Sequence, residues 1–140
     1  MSHLVNYIGC FVSPEELMEK LSGIREDGLE NTIKTPHVTF AYRPKAVDRN
    51  LFGEKVGITI IGYGNDGTNE GVLTTLHTHN PALREMMEKI QVPHITIAVG
   101  EGGKPVNTRY LSFHPVAPVE LEGTFGAYLG DGTVLLDSHA

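Results

Sequence analysis

One hexapeptide is written twice in this chain, as Pro36-His37-Val38-Thr39-Phe40-Ala41 and again as Pro93-His94-Ile95-Thr96-Ile97-Ala98. Four identical residues at fixed spacing match by chance on the order of once in a hundred chains of ordinary composition. An old duplication that kept only its packing accounts for the apolar positions. It does not account for His and Thr, which are not natural core residues on a strand.

The surroundings of the two copies repeat as well. Residues 4–12 read as a strand, and Ser13-Pro14-Glu15-Glu16 then opens a helix with a capping residue, a proline suited to the first turn and a capping-box glutamate. Leu17, Met18, Leu21 and Ile24 give that helix its apolar stripe. The first motif strand follows over 35–42, then strands over 56–63 and 71–76 joined by Asn65-Asp66-Gly67, a hairpin signal. Asn80-Pro81 opens a second helix with Leu83, Met86, Met87 and Ile90 on one face. The second motif strand comes next, then strands over 119–129 and 133–137 around Asp131-Gly132. Residues 100–118, with Gly102-Gly103, Pro105, Pro115 and Pro118, read as a long loop. The expectation is a single domain over 1–140 in two halves, about 1–76 and 77–140.

Side chains alternate across a strand. Unbroken alternation buries Val38, Phe40 and Tyr42 and leaves His37, Thr39 and Ala41 on the opposite face, with Arg43 following on that side. In the second copy Ile95, Ile97 and Val99 are buried, opposite His94, Thr96 and Ala98. Pairing the halves about a pseudo-two-fold axis gathers two imidazoles and two hydroxyls in one cleft.

Such a set suits phosphodiester chemistry. Imidazole titrates near neutrality, so one His takes a proton from an attacking water while the other protonates the departing oxygen. The Thr39 and Thr96 hydroxyls are donors for phosphate oxygens on which charge accumulates. Arg43, Lys104 and Arg109 are candidate phosphate grips, and Tyr42 can stack on a base from the strand end. Tyr7 reads as core.

Composition narrows the partners. The formal net charge of −6 opposes a long nucleic-acid groove, which phosphate neutralisation makes basic, but leaves room for a small nucleotide or an RNA end. No apolar run is long enough to cross a bilayer, and Met1-Ser2-His3-Leu4 lacks the start of a signal peptide, so a cytoplasmic monomer is expected. Cys10 is the only cysteine and reads as a small core residue. His77 and His79 alternate as metal ligands can, but no complete local ligand set accompanies them. His3, His114 and His139 read as solvent or loop residues. "GYGNDG" falls in a strand–turn pattern rather than opening a helix, which removes a dinucleotide-binding reading. Neither a metal nor another cofactor is called for.

Two H-x-[ST]-x motifs on related strands resemble the 2H phosphoesterase superfamily, which includes 2′-5′ RNA ligase-like proteins, cyclic phosphodiesterases and the phosphodiesterase domain of fungal tRNA ligases. "PHVTFAYRP" with "PHITIAV" is similar to that last pattern, where a basic residue follows the first motif. The resemblance implies an α+β, bilobal, duplicated domain, with antiparallel sheets lining a central cleft and helices outside. It implies catalysis by His37 and His94 and phosphate binding by Thr39 and Thr96. The expected activity is metal-independent hydrolysis of 2′,3′-cyclic phosphates on nucleotides or RNA ends. By likeness to tRNA-repair relatives His94 is the base, His37 the acid and a 2′-phosphate the product. Degradation of cyclic oligonucleotide signals or 2′-5′ linkages is the nearest alternative; a binding module without chemistry is the rival from another class.

Overall fold

The computed structural model describes residues 4–137. His3 and His139, read as solvent or loop positions, lie outside the described residues. The remainder forms β1 (Val5–Phe11), α1 (Pro14–Lys20), β2 (Asn31–Thr32), β3 (His37–Tyr42), β4 (Lys55–Asn65), β5 (Asn69–His77), α2 (Pro81–Glu88), β6 (His94–Val99), β7 (His114–Leu129) and β8 (Val134–Leu135). The result is α+β and sheet-rich. One antiparallel sheet runs β2-β6-β5-β4-β7-β1-β3, with β8 pairing on β7. β3 and β6 stand near opposite ends of that order, yet they come into contact, so the sheet curls until its two motif strands meet.

The local signals explain the elements. Ser13 Oγ accepts from the Glu16 amide at 3.2 Å, and the Asn80 side chain accepts from the Ala82 and Leu83 amides, so a side-chain cap satisfies amide donors at the start of each helix. Leu17, Leu21 and Leu83 carry the helices into the core beside Val38, Ile58, Ile95 and Phe125. Between β4 and β5, Gly67 takes φ +85° while the Asp66 carboxylate accepts from the Thr68 and Asn69 amides. Cys10 is fully buried, where desolvation pushes its thiol up to about 12. No helix among the described residues is long and apolar enough to cross a membrane.

The segment predicted as a loop over 100–118 is more ordered than that. A 3₁₀ turn occupies Pro105–Tyr110 and packs on β6, and β7 starts at His114. Pro115 and Pro118 read as strand breakers, but there β7 pairs only with β4, because pairing with β1 covers Thr124–Leu129. A proline with its nitrogen on an unpaired side removes no ladder bond.

Both motif strands depart from plain alternation at the same residue. In β3, Thr39 faces Gly9 and Ala41 faces Ile8, which leaves Phe40 as the extra residue of a bulge. In β6, Thr96 faces Gly71 and Ala98 faces Glu70, which leaves Ile97 as the extra residue. A bulge reverses the facing of the strand residues beyond it. Ala98 is therefore fully buried and Ala41 packs against the core, rather than lying on the histidine face as alternation predicts. For the same reason Tyr42, predicted to be buried, is 59 % exposed.

The opposing glycines allow the close approach. A Cβ on Gly9 would strike the Val38 carbonyl oxygen, and one on Gly71 would strike the Thr108 methyl and the Ile95 carbonyl oxygen. Val38 and Ile95 hold the same place in the two motifs. Beyond the bulges, Val12 N donates to Pro36 O at 3.1 Å and Thr74 N to Pro93 O at 2.9 Å, again at matching positions.

Candidate active site

Each motif histidine is anchored through one nitrogen to the backbone two residues before it. His37 Nδ1 lies 2.8 Å from Thr35 O and His94 Nδ1 lies 2.7 Å from Val92 O. A carbonyl oxygen only accepts, so Nδ1 carries the proton of each neutral ring and Nε2 keeps the lone pair. Neither Nε2 has a hydrogen-bond partner among the described residues. The proline before each histidine, with the strand bond to its carbonyl, fixes the backbone from which that anchor is made.

Burial holds both imidazoles below their ordinary range. For His37 desolvation is the main cause; the Thr35 carbonyl opposes it, and a charge on His94 lowers it further. For His94 desolvation again leads, the Val92 carbonyl opposes it, and the Arg109 guanidinium lowers it. Tyr7 stacks on His37 with centroids 4.4 Å apart, and Tyr128 stacks on Tyr7 at 5.0 Å. Burial, then the neighbouring Tyr128 and Tyr42, push the Tyr7 phenol far up, so it stays neutral.

His37, Thr39, His94 and Thr96 line one cavity of about 380 Å³, bordered also by Tyr7, Tyr42, Tyr128 and Lys34. All four motif residues are half-buried. Such a position desolvates a reacting group without sealing it away.

The two threonines differ in their bonding. Thr96 Oγ1 lies 2.8 Å from Thr108 Oγ1 and 3.1 Å from Pro105 O. Thr108 is fully buried and accepts from Asn69 Nδ2 at 3.0 Å, and the same amide donates to Lys104 O at 2.7 Å. The Thr39 hydroxyl has no such support among the described residues.

Of the other candidates, Tyr42 joins the cavity because of the bulge. Arg43 does not. The strand ends at Tyr42, Arg43 takes φ +44°, and it lines a separate depression with Asn6, Pro44 and Lys45. Lys104 is exposed and lines no part of the motif cavity; its contribution is the carbonyl that holds Asn69. Arg109 lines an adjoining chamber beside His94. His77 and His79 are exposed and take no part, and no three His, Cys, Asp or Glu side chains converge as a metal site among the described residues. Lys34, Tyr128 and the Thr108–Asn69 pair join the site without a signal in the motifs themselves. Lys34 lies three residues before His37, but Thr108 and Asn69 meet only through the packing of the 3₁₀ turn on β5 and β6. Tyr7, read as core, is 8 % exposed and has an edge in the cavity.

No protein-family model matches the chain, and no curated protein matches its sequence.

Proposed function

We propose that the chain is a phosphodiesterase of the 2H type, hydrolysing 2′,3′-cyclic phosphates of nucleotides or RNA ends by paired histidine acid–base catalysis. The observation that carries this reading is a cavity lined by both histidines and both threonines, with both imidazole Nε2 atoms unengaged among the described residues. One Nε2 takes a proton from water as its oxygen bonds to phosphorus. The bond to the ribose oxygen breaks, and the other imidazole gives that oxygen its proton. The Thr39 and Thr96 hydroxyls donate to the non-bridging oxygens. His94 as base and His37 as acid give a 2′-phosphate.

A duplicated, pseudo-two-fold architecture accords with the matched bulges, glycines and carbonyl anchors. The repeating unit these matches favour is β1-α1-β3-β4 followed by β5-α2-β6-β7, which puts the boundary between β4 and β5 instead of after residue 76.

The test is turnover of adenosine 2′,3′-cyclic phosphate by wild-type, His37→Ala and His94→Ala proteins, each checked for its fold by circular dichroism. Wild-type turnover that persists in EDTA and is abolished by either substitution is expected. Turnover stopped by chelation and restored by zinc would replace the mechanism with a metal-dependent one. Binding without turnover across a panel of cyclic phosphates and cyclic oligonucleotides would leave a binding module.

A further inference from the structure

The sheet order ends in β2 on one side and in β3 on the other. β2 is two residues long, the kind of short edge that guards against unwanted pairing, but β3 is six. β1 takes one side of β3, and β6 comes near without forming a ladder on it among the described residues. The ladder bonds show which groups this leaves open. Arg43 N donates to Asn6 O at 2.8 Å, so in an antiparallel pair the position before it, Tyr42, turns its amide and carbonyl away from β1. Val12 N donates to Pro36 O at 3.1 Å, and the same alternation turns the backbone groups of Thr39 outward. Neither residue's backbone finds another partner among the described residues.

This open edge, from Thr39 to Tyr42, is one wall of the chamber beside His94, of about 250 Å³. Lys89, Ile90 and Val92, from the connection between α2 and β6, belong to its lining, with Val106 and Arg109. In a chain whose formal net charge is −6, no carboxylate among the described residues lines this chamber. Neither Lys89 nor Arg109 is in an ion pair among the described residues; Arg109 Nη2 donates to Gln91 Oε1 at 3.1 Å instead. Tyr42 and Val106 are 59 % and 47 % exposed at the rim. An extended peptide draws affinity from backbone pairing at a sheet edge and specificity from pockets for its alternate side chains, and uncompensated cations select acidic ones. We propose that the outer side of β3 is a protein-docking edge, to which an extended acidic segment of a partner protein adds as a strand. Its aliphatic side chains lie against Ile90 and Val106, and its carboxylates meet Lys89 and Arg109. The chamber shares Thr39, Tyr42 and His94 with the motif cavity, so the added strand stands across one approach to it.

The probe is a synthetic peptide of alternating glutamate and valine with blocked ends, titrated into isotope-labelled wild-type protein and followed by nuclear magnetic resonance. At about 1 mM peptide, hydrogen exchange at the Thr39 amide, the Tyr42 amide or both is expected to slow several-fold as a backbone acceptor arrives. The matching lysine–valine peptide should bind roughly tenfold more weakly. The glutamate peptide methylated on the amides of one edge should give no slowing. Lys89→Gln combined with Arg109→Gln should remove the preference for glutamate over lysine, in a protein whose spectrum shows the fold intact. Slowing at neither amide, an equal response to the lysine peptide, or an undiminished preference in the double variant overturns the proposal. So does a uridine hexanucleotide that slows these amides where the peptide does not, which would make the edge a nucleic-acid contact. No readout involves turnover, so failure here leaves the phosphodiesterase reading untouched, and failure of that reading leaves the docking edge.

Discussion

Thr108 Oγ1 lies 2.8 Å from Thr96 Oγ1, inside the protein, with the Asn69 amide behind it. An amide N–H can only donate, so Asn69 fills a lone pair of Thr108; Pro105 O can only accept and takes the one Thr96 hydrogen, which leaves the Thr108 hydrogen for the bond between the two hydroxyls. The chain of donors runs outward, and Thr96 presents its hydrogen to the cavity once it leaves Pro105 O. A site polarised in this direction favours an anionic oxygen. Thr108→Val keeps the shape but breaks the relay. It is expected to lower kcat/KM for a cyclic phosphate by about tenfold, near the worth of one hydrogen bond to a charged group. Thr108→Ser should restore activity, and adding Thr108→Val to Thr96→Val should cost little more than Thr96→Val alone. An additive double variant would show that Thr108 acts only through stability.

The lowered imidazoles set a pH profile. The proposed acid–base chemistry needs one ring neutral and the other protonated, and burial holds both below the ordinary value of 6.5. The kcat/KM profile of the free enzyme should therefore be bell-shaped, with its maximum on the acid side of that value. Arg109→Gln removes one cause of the lowering at His94 and should move a limb of the bell upward. The same shifts bear on stability: the unfolded chain binds these protons more readily than the folded one. Stability is then fully present above the unfolded value and declines as pH falls through it toward the folded ones. Denaturant titrations between pH 7 and pH 5 should show the decline in the wild-type protein and a smaller one in His37→Asn.

Much of this site is legible in the residues, because twin motifs with His and Thr two apart need only a strand to share a face. Helix caps and the Asp66-Gly67 turn are local chemistry and read directly. The features that are not legible depend on register. The bulges at Phe40 and Ile97 appear only when β1 and β5 are paired against the motif strands, and they turn Tyr42 outward and Ala98 inward. Counting alternation through a bulge and past the strand end puts Arg43 on the histidine face, where it does not lie. The prolines of β7 look like breakers until its unpaired side is known, so the strand reads as shorter than it is. Thr108 sits twelve residues from Thr96 in a segment that reads as loop, and nothing local says that the two hydroxyls meet.

Gly9 and Gly71 give the bulges a direct test. A Gly9 side chain would strike the Val38 backbone carbonyl, and a Gly71 side chain would strike the Ile95 backbone carbonyl together with the methyl of the buried Thr108. Gly9→Ala and Gly71→Ala should each destabilise by about 2 kcal/mol through overpacking. Equilibrium unfolding in urea measures both. Gly71→Ala should also disturb the Thr96–Thr108 contact, so its activity should fall more than its stability. Tolerance at both sites would mean that the strands can slide apart without loss.

Behind the same bulge lies Glu70, fully buried, with Arg25 Nε and Nη2 each 2.7 Å from its carboxylate, the Tyr63 hydroxyl at 2.6 Å and the Leu29 amide at 2.9 Å. Burial pushes this carboxyl up, but the bonds from Arg25, Tyr63 and Leu29 outweigh it and hold it below its ordinary value of 4.5. Four donors on one buried anion tie the segment after α1 to the start of β5, next to Gly71 and the strand partner of Ala98. Glu70→Gln leaves Arg25 facing a neutral amide that cannot accept from all four donors. The expected loss is about 3 kcal/mol, as for breaking a buried ion pair by removing one partner. The sign of the pH effect comes from the lowered carboxyl: its contribution is present above the unfolded value and disappears as pH drops through the folded one. The wild-type protein should thus lose stability in acid more steeply than Glu70→Gln, on top of the decline caused by the histidines. Parallel acid unfolding of the two proteins, followed by circular dichroism, would expose a merely decorative pair, because their curves would then coincide.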